Sequence, residues 1–265
     1  MNFIAKIFNK RANWAIPYAI FLAMFVALPL VLIVVYAFQN AEGAFSLENF
    51  VKFVEQPEAV NTFIYSIGIA LITTILCILL GYPAAWILSN QKLNRSEVTV
   101  VLFILPMWIN ILVRTLATVA LFDFLKFPLG EGALIFGMVY NFLPFMVLPI
   151  YNVLIKIDKD VINAARDLGA NAVQVFTKVI LPLSVPGIIS GITMVFVPAL
   201  TTFVISDILG GSKILLIGNV IEQEFTQSYN WHVGSGLSLV LMIFVMVSMT
   251  IMNIFDKDGE GTAVW

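Results

Sequence analysis

An all-helical, polytopic membrane protein with six transmembrane helices is the fold class this sequence predicts, and three observations carry it. Hydrophobic residues make up 60% of the 265 and charged residues 11%, whereas a soluble domain needs roughly a quarter of its residues charged to solvate its surface. The mean hydropathy of +0.98 agrees. Six stretches approach or exceed the roughly 20 helical residues that cross a hydrocarbon core about 30 Å thick. Lys and Arg also fall unevenly between the connecting segments. A net charge of −2 gives no basic field, so nucleic acid is not a predicted partner.

The first apolar stretch, 14–38, follows Lys6, Lys10 and Arg11 as a signal peptide would. At about 25 uncharged residues it exceeds such a region, and no small-residue cleavage site follows closely, so it is expected to be a retained helix. The segment 39–62 carries Phe45-Ser46-Leu47-Glu48-Asn49-Phe50, a predicted short interfacial helix. The second stretch, 63–88, holds Cys77, which reads as a small buried hydrophobe. The third, 98–122, contains Arg114, and at 1.5 Å per residue a straight helix puts it about 24 Å from the start. The fourth, 132–155, contains Pro144 and Pro149, where a kink can open a cavity. The fifth, 185–206, is entered through Pro182 and Pro186, with Gly187 and Gly191 as a small-residue packing face. The segment 207–232 contains an amphipathic stretch to Phe225, and 233–255 is the sixth helix. The expectation is one transmembrane domain over residues 1–265.

With the N-terminus inside, the inner segments hold Lys6, Lys10, Arg11, Lys92, Arg95, Lys156, Lys159, Arg166, Lys178 and Lys257, against Lys52, Lys126 and Lys213 outside. The positive-inside rule then places both termini in the cytoplasm. It also makes 156–184 a long cytoplasmic loop. There Asp160 is expected to cap a helix. Val161, Ala164, Ala165 and Leu168 form one apolar face, and Gly169 ends it through a left-handed turn. A second piece, 172–180, is expected to stop at Pro182. A small apolar knob backed by a bend suits docking into a groove rather than catalysis.

Asn163-Ala164-Ala165, Gly169 and Val179-Ile180-Leu181-Pro182 resemble the EAA loop of ABC importer permeases. The resemblance implies a type I ABC importer permease fold. It also implies that Asn163, Ala164, Ala165, Asp167, Leu168 and Gly169 form the coupling helix that docks on an ATP-binding subunit. Asn163 stands where the family carries Glu, so that acidic contact is not carried over, although Asp167 is near. Leu80-Gly81-Tyr82-Pro83-Ala84-Ala85-Trp86, Leu105-Pro106-Met107-Trp108, Ile208-Leu209-Gly210-Gly211 and Ile217-Gly218-Asn219 are similar to the spermidine/putrescine branch, of the PotB type. That branch implies a second permease of the PotC type, an ATP-binding subunit dimer of the PotA type, and an extracytoplasmic solute-binding protein of the PotD type. ATP and Mg would be bound by the ATPase, with no cofactor in this chain.

The sequence contains no Gly-x-x-x-x-Gly-Lys-Ser/Thr loop, so the chain is not expected to hydrolyse ATP. Gly210-Gly211-Ser212-Lys213 lacks the spacing. No His-Glu-x-x-His or Gly-x-Ser-x-Gly supports an enzyme, and no metal site is expected. The single His232 reads as an interfacial or loop residue.

Candidate path residues are Trp108, Asn110, Arg114, Tyr140, Asn141, Asp207 and Glu222. An ionisable group at membrane depth faces a cavity or a partner. For Arg114 the alternatives are the pathway entrance, or an ion pair with Asp123 or Asp207, or snorkelling. Trp108, Tyr140 and Asn141 suit cation–π and amide contacts as well as packing. Asp207, expected at the end of the fifth helix, joins Glu42, Glu48, Glu55, Glu58, Asp123, Glu131, Glu222 and Glu224 in outer segments. These acids attract a polycation or are ordinary solvated surface. Two rivals stay open: an importer of the same architecture for another solute (a metal, an anion or a small organic molecule), and an ion-coupled secondary transporter.

Overall fold

The computed structural model describes residues 15–40, 42–90, 97–211 and 214–255. Lys6, Lys10, Arg11, Lys92, Arg95, Lys213 and Lys257, on which much of the orientation rests, lie outside the described residues. Among the described residues the regular elements are helical, apart from one bridge between Gln39 and Phe45. That follows from the apolar runs, because a chain in lipid must satisfy its backbone groups internally. Contacts divide the chain into two compact units, Met1–Pro57 with Ile221–Ile243, and Glu58–Val220 with Phe244–Trp265.

In the first unit, α1 (Ile16–Ala37) is widened by a π-helical turn, Ala23–Ala27, directly ahead of Leu28-Pro29. No residue of that turn is buried. The short helix α2 runs Glu48–Glu55, later than the sequence predicts. Phe45 is held in the bridge to Gln39, and Ser46 Oγ accepts from the Glu48 N–H at 3.1 Å, which starts the helix only there. Buried Asn49 donates to the Ala37 and Gln39 carbonyls, both at 2.9 Å, tying α2 to the end of α1.

The second unit is built around α6 (Glu131–Leu154), which stays one helix through Pro144 and Pro149. Against it packs α8, Ala172–Thr201. A Cβ at Gly187 would lie 3.0 Å from the Pro149 carbonyl, and one at Gly191 would lie 2.6 Å from Met146 Sδ. These glycines let the two backbones approach closely, as the small-residue spacing predicts. The helix α3 (Pro57–Ser89) carries Pro83 inside it and buries Cys77.

Two spans differ from the sequence expectation. The third is not one straight helix. It comprises α4 (Glu97–Ile104), a 3-10 turn at Leu105–Trp108, and α5 (Ile111–Phe124), with a 96° bend between the two halves. Pro106 lacks a donor for a continuing helix, and Asn110 restarts it by accepting the Leu112 N–H at 2.8 Å. The distance of about 24 Å assigned to Arg114 along a straight helix therefore does not hold.

The fifth span begins earlier and ends earlier than expected. Pro182 and Pro186 do not end the 172–180 piece, which runs into α8 through a π-helical turn, Phe176–Ile180. A widened turn accommodates the carbonyl that proline leaves without its donor. After Thr201 the chain is extended at Thr202, so Asp207 sits on a separate short helix, α9 (Val204–Leu209), not at the end of the span. Buried Asn219 fastens this region, accepting from Ser206 Oγ and the Leu216 N–H and donating to the Phe203 carbonyl. Helix α10 (Ile217–Thr226) realises the amphipathic stretch, and α11 (Trp231–Phe255) is the last span.

Candidate functional site

Between α6 and α8 the chain forms a self-supported, exposed loop. Its helix α7 spans Lys159–Asp167. The cap is Asp158, not Asp160: Asp158 is extended and its Oδ1 accepts the Asp160 N–H at 2.9 Å. Asp160 lies in the first turn, where a carboxylate suits the helix dipole. At the other end Gly169 has φ +87°. Its N–H meets the Arg166 carbonyl at 2.8 Å, and Ala170 N–H meets the Ala165 carbonyl at 3.1 Å. This is a Schellman closure, for which Gly is the natural residue. Asn171 and Gln174 then form a reciprocal capping box with both bonds at 2.9 Å. Sequence reasoning missed that box, although Asn followed three residues later by Gln is its signature.

The loop's apolar face is not spent inside the chain. Val161, Ala164 and Leu168 are exposed and Ala165 is half-buried. Leu168 is 89% exposed and Val173 69%. Asn163, Asp167 and Gly169 are exposed beside them. The predicted coupling residues thus share one short, rigidly capped projection.

The path candidates scatter more widely. Trp108 ends the 3-10 turn and is 89% exposed. Asn110 is occupied as the cap of α5. Arg114, one turn later, is 6% exposed. Its Nε and Nη1 are buried without a hydrogen-bond partner, and its guanidinium carbon lies 6.0 Å from the centre of the Tyr140 ring. Among the described residues no ion pair joins it to Asp123 or Asp207. Asn141 is fully buried, donates to the Gly137 carbonyl at 2.8 Å, and leaves Oδ1 unpaired. Asp207 is exposed on α9. Glu222, in the other compact unit, accepts from Thr226 Oγ1 at 2.8 Å. The structure therefore brings Arg114 and Tyr140 together, with Asn141 adjacent in sequence. His232 lies in the first turn of α11, its Nδ1 3.3 Å from the Tyr36 carbonyl.

Sequence reasoning also missed the residues around the π-helical turn of α8. Phe176 stands edge-on to Tyr82 and Trp86, with ring centres 5.8 and 5.6 Å apart. The signal available was Leu181-Pro182 inside an otherwise helical stretch.

Comparison with known proteins agrees with this architecture. Residues 77–257 match the family described as "Binding-protein-dependent transport system inner membrane component". The spermidine/putrescine transport system permease protein PotB of Escherichia coli (strain K12) is 37% identical over 245 residues, covering 84% of this chain and 89% of that protein. PotB of Haemophilus influenzae is 36% identical over 265 residues, covering 91% and 92%. Among solved structures, a chain of a bacterial ABC transporter for the acidic polysaccharide alginate superposes with a TM-score of 0.70 at 16% identity, covering 98% of this chain and 100% of that one. The MetNI methionine ABC transporter gives a TM-score of 0.61 at 19% identity, covering 75% and 94%. At such identities the structures speak to the fold. The length of the family match and the identity to the PotB proteins go further: this chain is a multi-pass inner-membrane permease belonging to the family of binding-protein-dependent transport system inner membrane components.

Proposed function

We propose that the chain is a permease subunit of an ATP-driven importer for polyamines, spermidine or putrescine, and that its 156–184 loop couples it to the ATPase. The observation that carries the coupling is the capped projection with Leu168 89% exposed. An apolar side chain held in the open by two caps is what a partner groove takes up. The polyamine assignment is supported by the identity to the PotB proteins. On this reading the partners are a PotC-type permease, a PotA-type ATP-binding dimer carrying ATP and Mg, a PotD-type binding protein and membrane lipid. Both termini and the loop are cytoplasmic, in keeping with the distribution of Lys and Arg.

A second reading keeps the architecture and changes the solute. Arg114 on the Tyr140 ring favours it, since a resident cation there repels a polyamine. Uptake of labelled spermidine and putrescine by a deletion strain without a redundant importer decides between them. Uptake lost on deletion and restored by this chain is expected; unchanged uptake contradicts the polyamine reading.

A further inference from the structure

Along the chain, the helix that carries Leu168 joins the membrane part of α8 through the π-helical turn Phe176–Ile180. Such a turn is a weak place mechanically. Its bonds run i→i+5, and a slip of one residue back to α-helix moves the chain by about 1.5 Å and turns it by about 100°. Yet α3 grips it at both ends. At the first residue of the turn, Phe176 is edge-on to Tyr82 and Trp86, at interplanar angles of 86° and 85°. These two residues are four apart and share one face of α3. Beyond the turn, Ser184 Oγ donates to the Leu181 carbonyl at 2.9 Å. The Tyr82 hydroxyl and Ser184 Oγ share a hydrogen bond, also at 2.9 Å. Val175, Ile180 and Ser184 are buried around this grip. Among the described residues, no residue of the π-helical turn of α1 is buried, in contrast to that of α8.

We infer that Phe176 is a positioning residue for energy coupling. Held between Tyr82 and Trp86, and backed by the Tyr82–Ser184 bond, it keeps the π-helical turn from absorbing motion. The docking loop, α8 and the end of α3 then move as one piece. The inference rests on the docking reading above.

The test uses the chain assembled with its ATPase, second permease and binding protein in proteoliposomes. Two quantities are read: spermidine moved per ATP hydrolysed, and the ATP-plus-vanadate-dependent change in thiol labelling of Val197→Cys, a half-buried position in the last turns of α8, in a Cys77→Ala background. Phe176→Ala is expected to keep the ATPase attached and to lose about tenfold in spermidine per ATP, the scale on which a pair of edge-on ring contacts biases a two-state element. It should also abolish the labelling change, while Phe176→Tyr retains both. A merely structural role lowers assembly yield but leaves the ratio unchanged. Should Phe176→Ala fold poorly, Tyr82→Phe removes only the hydroxyl and is expected to lower the ratio in the same direction. An unchanged ratio and labelling change in the variants overturns the inference, as does loss of ATPase attachment in Phe176→Ala. If the wild-type assembly moves no spermidine while Val197→Cys still responds to ATP, the solute assignment fails and the labelling arm alone decides on Phe176.

Discussion

The Arg114 guanidinium, 6.0 Å from the Tyr140 ring centre, has Nε and Nη1 buried without partners. Cation–π attraction recovers about 2 kcal/mol when desolvated, less than an uncompensated charge costs at membrane depth. Arg114→Met is therefore expected to stabilise the chain by about 1–2 kcal/mol, as replacing buried charge by an apolar isostere often does. Thermal unfolding in detergent measures this, and a lowered midpoint would show that the cation has a partner in the protein. Gly169 presents the opposite case. At φ +87° a β-branched side chain costs about 1–2 kcal/mol, so Gly169→Val is expected to abolish most uptake while leaving membrane insertion intact. Normal ATP-driven uptake by that variant would remove the loop from the mechanism. Gly169 was legible in the sequence because Gly is the residue that most readily ends a helix this way. The neighbouring cap was not: Asp158 and Asp160 are chemically equal candidates, and only the extended backbone of Asp158 decides between them.

At the scale of elements, length and apolarity made five spans readable, and the third revealed the limit of that reading. Val98 to Phe122 has the composition of one helix, yet it bends by 96°. Asn110, a polar path candidate, is also the residue that caps α5. Periodicity cannot register a break whose flanks are both apolar helices. Prolines misled in the other direction. Pro182 reads as a stop, yet a π-helical turn carries the chain past it, as another does ahead of Pro29. Helix packing was more transparent, since Gly187 and Gly191 meet the α6 backbone as their spacing predicts. Gly191→Leu would force Met146 aside and is expected to cost about 1–3 kcal/mol, seen as lower folded yield and a lower unfolding midpoint. A well-folded Gly191→Leu protein would mean that α6 and α8 are not in close register.

For the molecule as a whole, family and fold class rest on the span pattern and the 77–257 family match. The path did not emerge as one cluster in the sequence. Its candidates sit on α5, α6, α9, α10 and the bend, and spacing along a chain does not report which helices adjoin. The capped loop proposed to couple to the ATPase was legible as a helix–bend–helix because its residues are consecutive. Its orientation is testable by labelling: cysteines at Val173 and at Val54 are expected to react with impermeant reagents from opposite sides of the membrane. Labelling from the same side would overturn the proposed topology. Most direct is a cross-link from Leu168→Cys to the ATP-binding subunit in the assembled importer. The expected result is a product joining the two chains whose yield changes with ATP. No cross-link at Leu168, in an assembly that still takes up solute at the expense of ATP, would contradict the account.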